Sequence, residues 1–183
     1  MGLSDYYEGF DISSVNKPLP IFTTIPRDYK DINDKLYPLI EEYRNNHSEN
    51  LETNVRATWR SDWEVHKHEQ FNFFVEWILE ASSFISAYHL NTNIQYDVCN
   101  MWLMIYEKGD YAIPHDHFPS TMSVVYYVDV ENNAAPITFE DELDIHPETG
   151  KLIIFPSVIQ HKVNKTNTKR VVVGMNLNAG LWD

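Results

Sequence analysis

The run Ala112-Ile113-Pro114-His115-Asp116-His117-Phe118 holds the densest metal-ligating chemistry in the chain. In an extended segment, residues i and i+2 point to the same side, so His115 and His117 can converge on one ion while Asp116 points away. A third imidazole is available at His161, beyond the apolar run Leu152-Ile153-Ile154-Phe155 and the turn at Pro156. Three protein ligands leave coordination positions open, which catalytic iron needs in order to take a cosubstrate and dioxygen together. Two other readings remain on the residues alone. Three imidazoles also satisfy zinc, and a facial set of two His and one carboxylate would use Asp116 in place of a His, against strand parity. The rest of the eight His, namely His47, His66, His68, His89 and His146, have no such spacing and read as solvated or locally hydrogen-bonded.

An H-x-H pair alone is a short signal, and its surroundings make it specific. Tyr106-Glu107-Lys108-Gly109-Asp110-Tyr111 precedes it, and Pro119-Ser120 and Ser123-Val124-Val125-Tyr126-Tyr127-Val128 follow. Further on come Gly150-Lys151-Leu152-Ile153-Ile154-Phe155-Pro156-Ser157, His161, Arg170 and Asn176. In this order the set resembles the core of a family of 2-oxoglutarate- and iron(II)-dependent oxygenases that is similar to prolyl 4-hydroxylases and abundant in phage and marine bacterial genomes. The resemblance covers about Trp102 to Asn178, less than half of the chain.

The resemblance implies that His115, His117 and His161 bind Fe(II) and that Arg170 binds the distal carboxylate of 2-oxoglutarate. It implies a dioxygenase that hydroxylates a peptidyl (prolyl-like) or small-molecule substrate, using O2 and releasing succinate and CO2. This sequence departs from the wider superfamily at His117, where most members place Asp. A neutral imidazole donates less charge to iron than a carboxylate does. Two alternatives share the ligands: a non-catalytic metal-binding jelly-roll module, and a three-His cupin-type dioxygenase that does not use 2-oxoglutarate.

Around the proposed metal strand, Tyr106 and Tyr126 can offer hydroxyls to a carboxylate of the cosubstrate, and Asn176 can orient a ligand through its amide. Alternation lets only one of Tyr126 and Tyr127 face inward. Arg suits the cosubstrate role because its planar guanidinium holds a carboxylate bidentately and keeps its proton. Arg170 opens the apolar strand Val171-Val172-Val173 and points to the face opposite Lys169.

These residues need elements to hold them. Apolar positions Ile32, Leu36, Leu39 and Ile40 predict a helix from about Tyr29 to Asn46, with Pro38 expected to kink it or delay its start. Phe71, Phe74, Val75, Ile78, Ser82 and Ile85 predict a second from about Lys67 to His89. Pro18, Pro20 and Pro26 bracket a β-like run, Ile21 to Ile25, which reads as an edge strand. Asn54 to Glu64 reads as a strand with a loop. From Asn93 onward, short β-branched and aromatic runs separated by Gly, Pro, Asn and Asp predict strands near Val98–Tyr106, Ser123–Val130, Ile137–Glu140, Lys151–Phe155, Gln160–Asn164 and Arg170–Asn178. The expected architecture is α+β, mainly β: a double-stranded β-helix (jelly roll, cupin-like) with two N-terminal supporting helices. Residues 1–183 read as one domain, with helical support over about 28–92 and the β-helix core over about 96–180.

Composition sets the outer limits. With 183 residues, 43% of them apolar and 14% aromatic, the chain can bury a core. A formal charge of −13 repels phosphate backbones and anionic membranes, so neither nucleic acid nor membrane is an expected partner. The same field repels a dicarboxylate, so 2-oxoglutarate requires a local cationic pocket. The one cysteine, Cys99, forms no internal disulfide and reads as a small buried hydrophobe. The N-terminal MGLSDYYEGF has no basic region ahead of an apolar run, and Tyr6 breaks the myristoylation pattern. The expectation is a soluble cytoplasmic protein (in the host cytoplasm if phage-encoded), and its size is compatible with a homodimer.

Overall fold

The computed structural model describes residues 18–47, 50 and 53–180; the N-terminal decapeptide discussed above lies outside them. Two helices, α1 (Tyr29–Asn46) and α2 (Asn72–His89), are interspersed with three short strands and precede the main run of strands. Pro38 sits inside α1, which continues through it. The amide that Pro38 lacks would have bonded the carbonyl of Asp34, and both residues are exposed, so water can serve that carbonyl. Two 3-10 turns, Val65–Lys67 and Glu69–Phe71, precede α2, so the regular helix starts later than the apolar period implies.

Among the described residues, eleven strands form two antiparallel sheets. The larger contains β1 (Phe22–Thr24), β3 (Trp59–Arg60), β4 (Tyr96–Tyr106), β6 (Met122–Val130), β9 (Leu152–Pro156) and β11 (Arg170–Ala179), in the order β1-β9-β6-β11-β4-β3. The smaller contains β2 (Val55–Arg56), β5 (Tyr111–His115), β7 (Ile137–Phe139), β8 (Leu143–Ile145) and β10 (His161–Val163), in the order β2-β5-β10-β7-β8. This is the expected double-stranded β-helix. The segment from Ile21 to Ile25 does supply an edge strand, β1, paired with β9. Strand β8, three residues long and largely exposed, is too short for its Leu143-Asp144-Ile145 alternation to stand out in the sequence.

The large sheet is covered on both faces, which explains why its strands read as continuous apolar runs. One face, with Leu103, Ile105, Val124, Tyr126, Val171, Val173 and Met175, packs on Leu36, Ile40 and Tyr43 of α1 and Phe74 and Ile78 of α2. The other face, with Trp102, Met104, Tyr106, Tyr127, Ile153, Phe155 and Val172, meets Ala112, Ile137, Phe139 and Val163 of the small sheet. Burial of this apolar surface on both faces is the main driving force for the arrangement. Cys99, expected to be buried, is half-buried and free. No helix among the described residues is long and apolar enough to cross a membrane.

Candidate metal centre

Pairing between β5 and β10 sets His115 directly opposite His161, so two imidazoles meet on one face of the small sheet. Strand β5 ends at His115. His117 therefore lies in the connection beyond it, where its N–H donates to the carbonyl of Ser157 (2.8 Å) and fixes the segment against the end of β9. Ring centroids are 4.4 Å apart for His115–His161, 5.1 Å for His115–His117 and 5.0 Å for His117–His161. One nitrogen from each ring falls within 4.8 Å of the others. Asp116 is not in this group: its Oδ1 accepts from the N–H of Phe118 (3.0 Å), closing a local turn.

The tautomers suit a metal. Nδ1 of His115 lies 2.7 Å from the carbonyl of Ile113 and Nδ1 of His161 lies 3.2 Å from that of Ile159. A carbonyl only accepts, so each Nδ1 carries the proton and each Nε2 keeps its lone pair free. Nδ1 of His117 sits 3.4 Å from the amide nitrogen of Asn176, whose Oδ1 accepts from Ser123 Oγ (2.8 Å), itself 2.8 Å from Ser157 Oγ. Turning that amide over would set Oδ1 against an Nδ1–H and free Nε2 of His117 as well, with the serine hydroxyl reversing to accept. Asn176 thus supports the ring of His117.

Burial keeps the three rings neutral. It pushes His117 down to about 3, reinforced by His161, His115 and Arg60, and His161 down to about 4, reinforced by His115; it also lowers His115. An unfolded chain takes up these protons near the ordinary imidazole value of about 6.5, whereas the folded protein resists them until well below it. The unfolded state then binds more protons across that window, so stability falls as pH falls. The melting temperature of the metal-free protein is expected to drop between pH 7 and pH 5, and the drop should be smaller in His117→Ala. A flat profile would contradict a buried neutral cluster.

Beyond the rings, an interior cavity between the sheets reaches Arg170, and His115, His117 and His161 line the same space with Tyr106, Tyr127 and Gly174. Arg170 is 1% exposed. Its Nη1 donates to the carbonyl of Ala135 (2.9 Å), Nε has no partner, and its Cζ lies 4.2 Å from the ring centre of Tyr106, opposite it across β4 and β11. Burial raises the pKa of Tyr106, and of Tyr127 to about 12, so both remain neutral hydroxyls. Gly174 lets the indole of Trp102 lie against the backbone of β11 at the cavity wall, since a Cβ there would fall 2.3 Å from it.

Tyr126 is placed elsewhere. Its ring packs on Phe74 and Trp77 of α2 and its hydroxyl donates to Asn33 Oδ1 (2.7 Å), on the face away from the three imidazoles. Tyr127 takes the inward position. The register of β6 decides which tyrosine turns in, and both faces of that strand are buried. Parity alone therefore left the choice open. Sequence reasoning also passed over Arg60 and Trp63, which line the outer part of the site with Trp102 and Phe118.

No protein-family model matches the sequence, and no curated protein matches it. Solved structures do resemble it. A viral collagen prolyl hydroxylase from Paramecium Bursaria Chlorella virus-1, in its 2OG complex, matches with a TM-score of 0.61 at 13% identity over 98% of this chain and 100% of that one. A prolyl hydroxylase from Trichoplax adhaerens, in complex with a hypoxia inducible factor peptide fragment, gives 0.64 at 13% identity over 88% and 83%. The non-heme alpha ketoglutarate dependent epimerase SnoN from nogalamycin biosynthesis gives 0.62 at 12% identity over 87% and 77%. The fold is that of the 2OG-Fe(II) oxygenases.

Proposed function

We propose that this chain, with residues 1–183 acting as one domain, is a 2-oxoglutarate- and iron(II)-dependent dioxygenase. It would hydroxylate a peptidyl or small-molecule substrate and release succinate and CO2. One observation carries the reading: three neutral imidazoles and a buried guanidinium with no acidic partner among the described residues face the same cavity between the sheets. Structural zinc would explain the rings and leave Arg170 without a purpose.

The donor set fits iron(II), which accepts imidazole and needs open positions for other ligands. When bound, the iron supplies the oxidising chemistry, with the 2-oxo acid as the co-reductant of dioxygen. His115, His117 and His161 hold the ion. The guanidinium of Arg170 grips the distal carboxylate of 2-oxoglutarate and so orients the 2-oxo end toward the histidines, with the hydroxyls of Tyr106 and Tyr127 close to that carboxylate. Apolar walls of Val172, Ile137 and Phe155 exclude water, which strengthens each polar contact inside. A peptidyl substrate has precedent in the Trichoplax adhaerens neighbour with its bound peptide fragment, and the epimerase acts in the biosynthesis of a small molecule. The test is succinate release by protein supplied with iron(II), 2-oxoglutarate and air. Slow release without any other substrate, abolished by chelator, is expected; none under any metal loading would refute the proposal.

A further inference from the structure

The outer part of the site holds a second buried arginine that none of these roles uses. Arg60 lies on the short edge strand β3, paired with Met104 of β4. Its neighbour Trp59 turns toward the helices, so Arg60 turns the other way, into the space lined by Trp63, Trp102, His117 and Phe118. It is 1% exposed. Nη1 donates to the carbonyl of Ser61 (2.9 Å), while Nε and Nη2 are buried with no hydrogen-bond partner among the described residues.

No described carboxylate pairs with it. Asp62, two positions on, is already engaged by the hydroxyl of Tyr43 (3.0 Å) and the N–H of Glu64 (2.7 Å). The guanidinium lies against Trp63, its Cζ 3.7 Å from that ring centre and 5.8 Å from the ring centre of Trp102, which meets Trp63 edge-on. Burial lowers its pKa to about 10, so it stays charged at neutral pH. A buried charge without a counter-ion opposes folding, and a chain of net charge −13 has abundant acids that were not placed beside it.

Nε–H and Nη2–H share one edge of the guanidinium plane, and that edge is the fork that holds a carboxylate bidentately. Arg170 occupies the inner cavity with Tyr106 and Tyr127, whereas Arg60 lines only the outer one, with Trp63 and Phe118. Resting on the oxygenase reading, we propose that Arg60 recognises a carboxylate of the substrate that is oxidised, which makes that substrate a small carboxylic acid of the free amino acid kind. The indoles of Trp63 and Trp102, in edge contact with ring centres 4.9 Å apart, would together form one wall against its carbon skeleton.

The test uses the full chain loaded with manganese(II) and 2-oxoglutarate without dioxygen, titrated calorimetrically with the free L-amino acids and their C-terminal amides. At least one amino acid is expected to bind, with its amide weaker by about tenfold or more. In Arg60→Met that preference disappears while affinity for 2-oxoglutarate holds within about twofold, and Arg60→Lys, which keeps the charge without the fork, falls between. Melting of the ligand-free protein separates recognition from a structural role: Arg60→Met is expected to hold or raise the melting temperature, because it removes an unpaired buried charge. Binding by no amino acid, equal binding of acids and amides, or a melting temperature lowered along with unchanged preference would each overturn the proposal. Loss of 2-oxoglutarate instead would make Arg60 a cosubstrate anchor and leave the oxygenase reading standing. Failure of the wild-type protein to bind metal or 2-oxoglutarate would remove that reading and this proposal with it.

Discussion

His161→Ala is expected to lose bound metal and turnover together while keeping its fold. His161 is the ring that joins the other two: it sits in β10, paired with His115 on one side and Phe139 on the other, and its ring lies 4.4 and 5.0 Å from His115 and His117. Without it, two imidazoles from one short segment remain, and neither the affinity nor the facial geometry of a three-ligand site survives. Metal affinity is expected to fall by well over about 100-fold, since outer partners of such ligands alone are worth 10- to 100-fold. The fold should persist, because the ring is desolvated and neutral and its removal leaves no buried charge behind. Metal content, succinate release and the melting curve of the metal-free variant read these three consequences separately. Stoichiometric iron at wild-type affinity in His161→Ala would break the ligand assignment.

The reach of the sequence can be judged against these residues. The ordered set from Tyr106 to Asn176 singles out the three histidines and Arg170, and all four line one cavity. The physical basis was partial. Parity predicted convergence of His115 and His117 from a strand, yet the strand stops at His115, and the backbone bond from His117 to Ser157 brings the second ring round. Tyr126 was misplaced because β6 is buried on both faces, so apolar pattern carries no information on which face is which. A register, once known, settles it: Tyr127 pairs with Val172, on the inner face. Arg60 was illegible for a related reason. A two-residue edge strand has no periodicity of its own, and the burial of Arg60 comes from Trp63 and Trp102, which are separated along the chain. The helices were legible in their apolar faces, while the 3-10 turns ahead of α2 have no such signature.

Arg170→Ala is expected to abolish the distinction between 2-oxoglutarate and monocarboxylic 2-oxo acids. The guanidinium is buried between Tyr106 and the cavity, with one N–H given to Ala135 and Nε unpaired, so the distal carboxylate of 2-oxoglutarate would be its only counter-ion. Removing one member of a desolvated charge pair costs about 2–5 kcal/mol, which is a loss of roughly 30- to several-thousand-fold in affinity. A 2-oxo acid with a methyl group in place of the distal carboxylate never forms that pair, so its affinity should change little. The ratio of the two dissociation constants, measured with manganese(II) and without dioxygen, isolates the interaction from any general loosening of the cavity. Arg170→Lys should recover only part of the preference, because an ammonium lacks the planar fork and would leave the carbonyl of Ala135 poorly served. Metal affinity in the absence of 2-oxo acid should be unchanged in both variants, since Arg170 lies outside the cluster of three imidazoles. If 2-oxoglutarate still outcompetes the monoacid in Arg170→Ala by the wild-type ratio, the distal carboxylate rests elsewhere, and the guanidinium of Arg60 becomes the remaining buried group able to hold it.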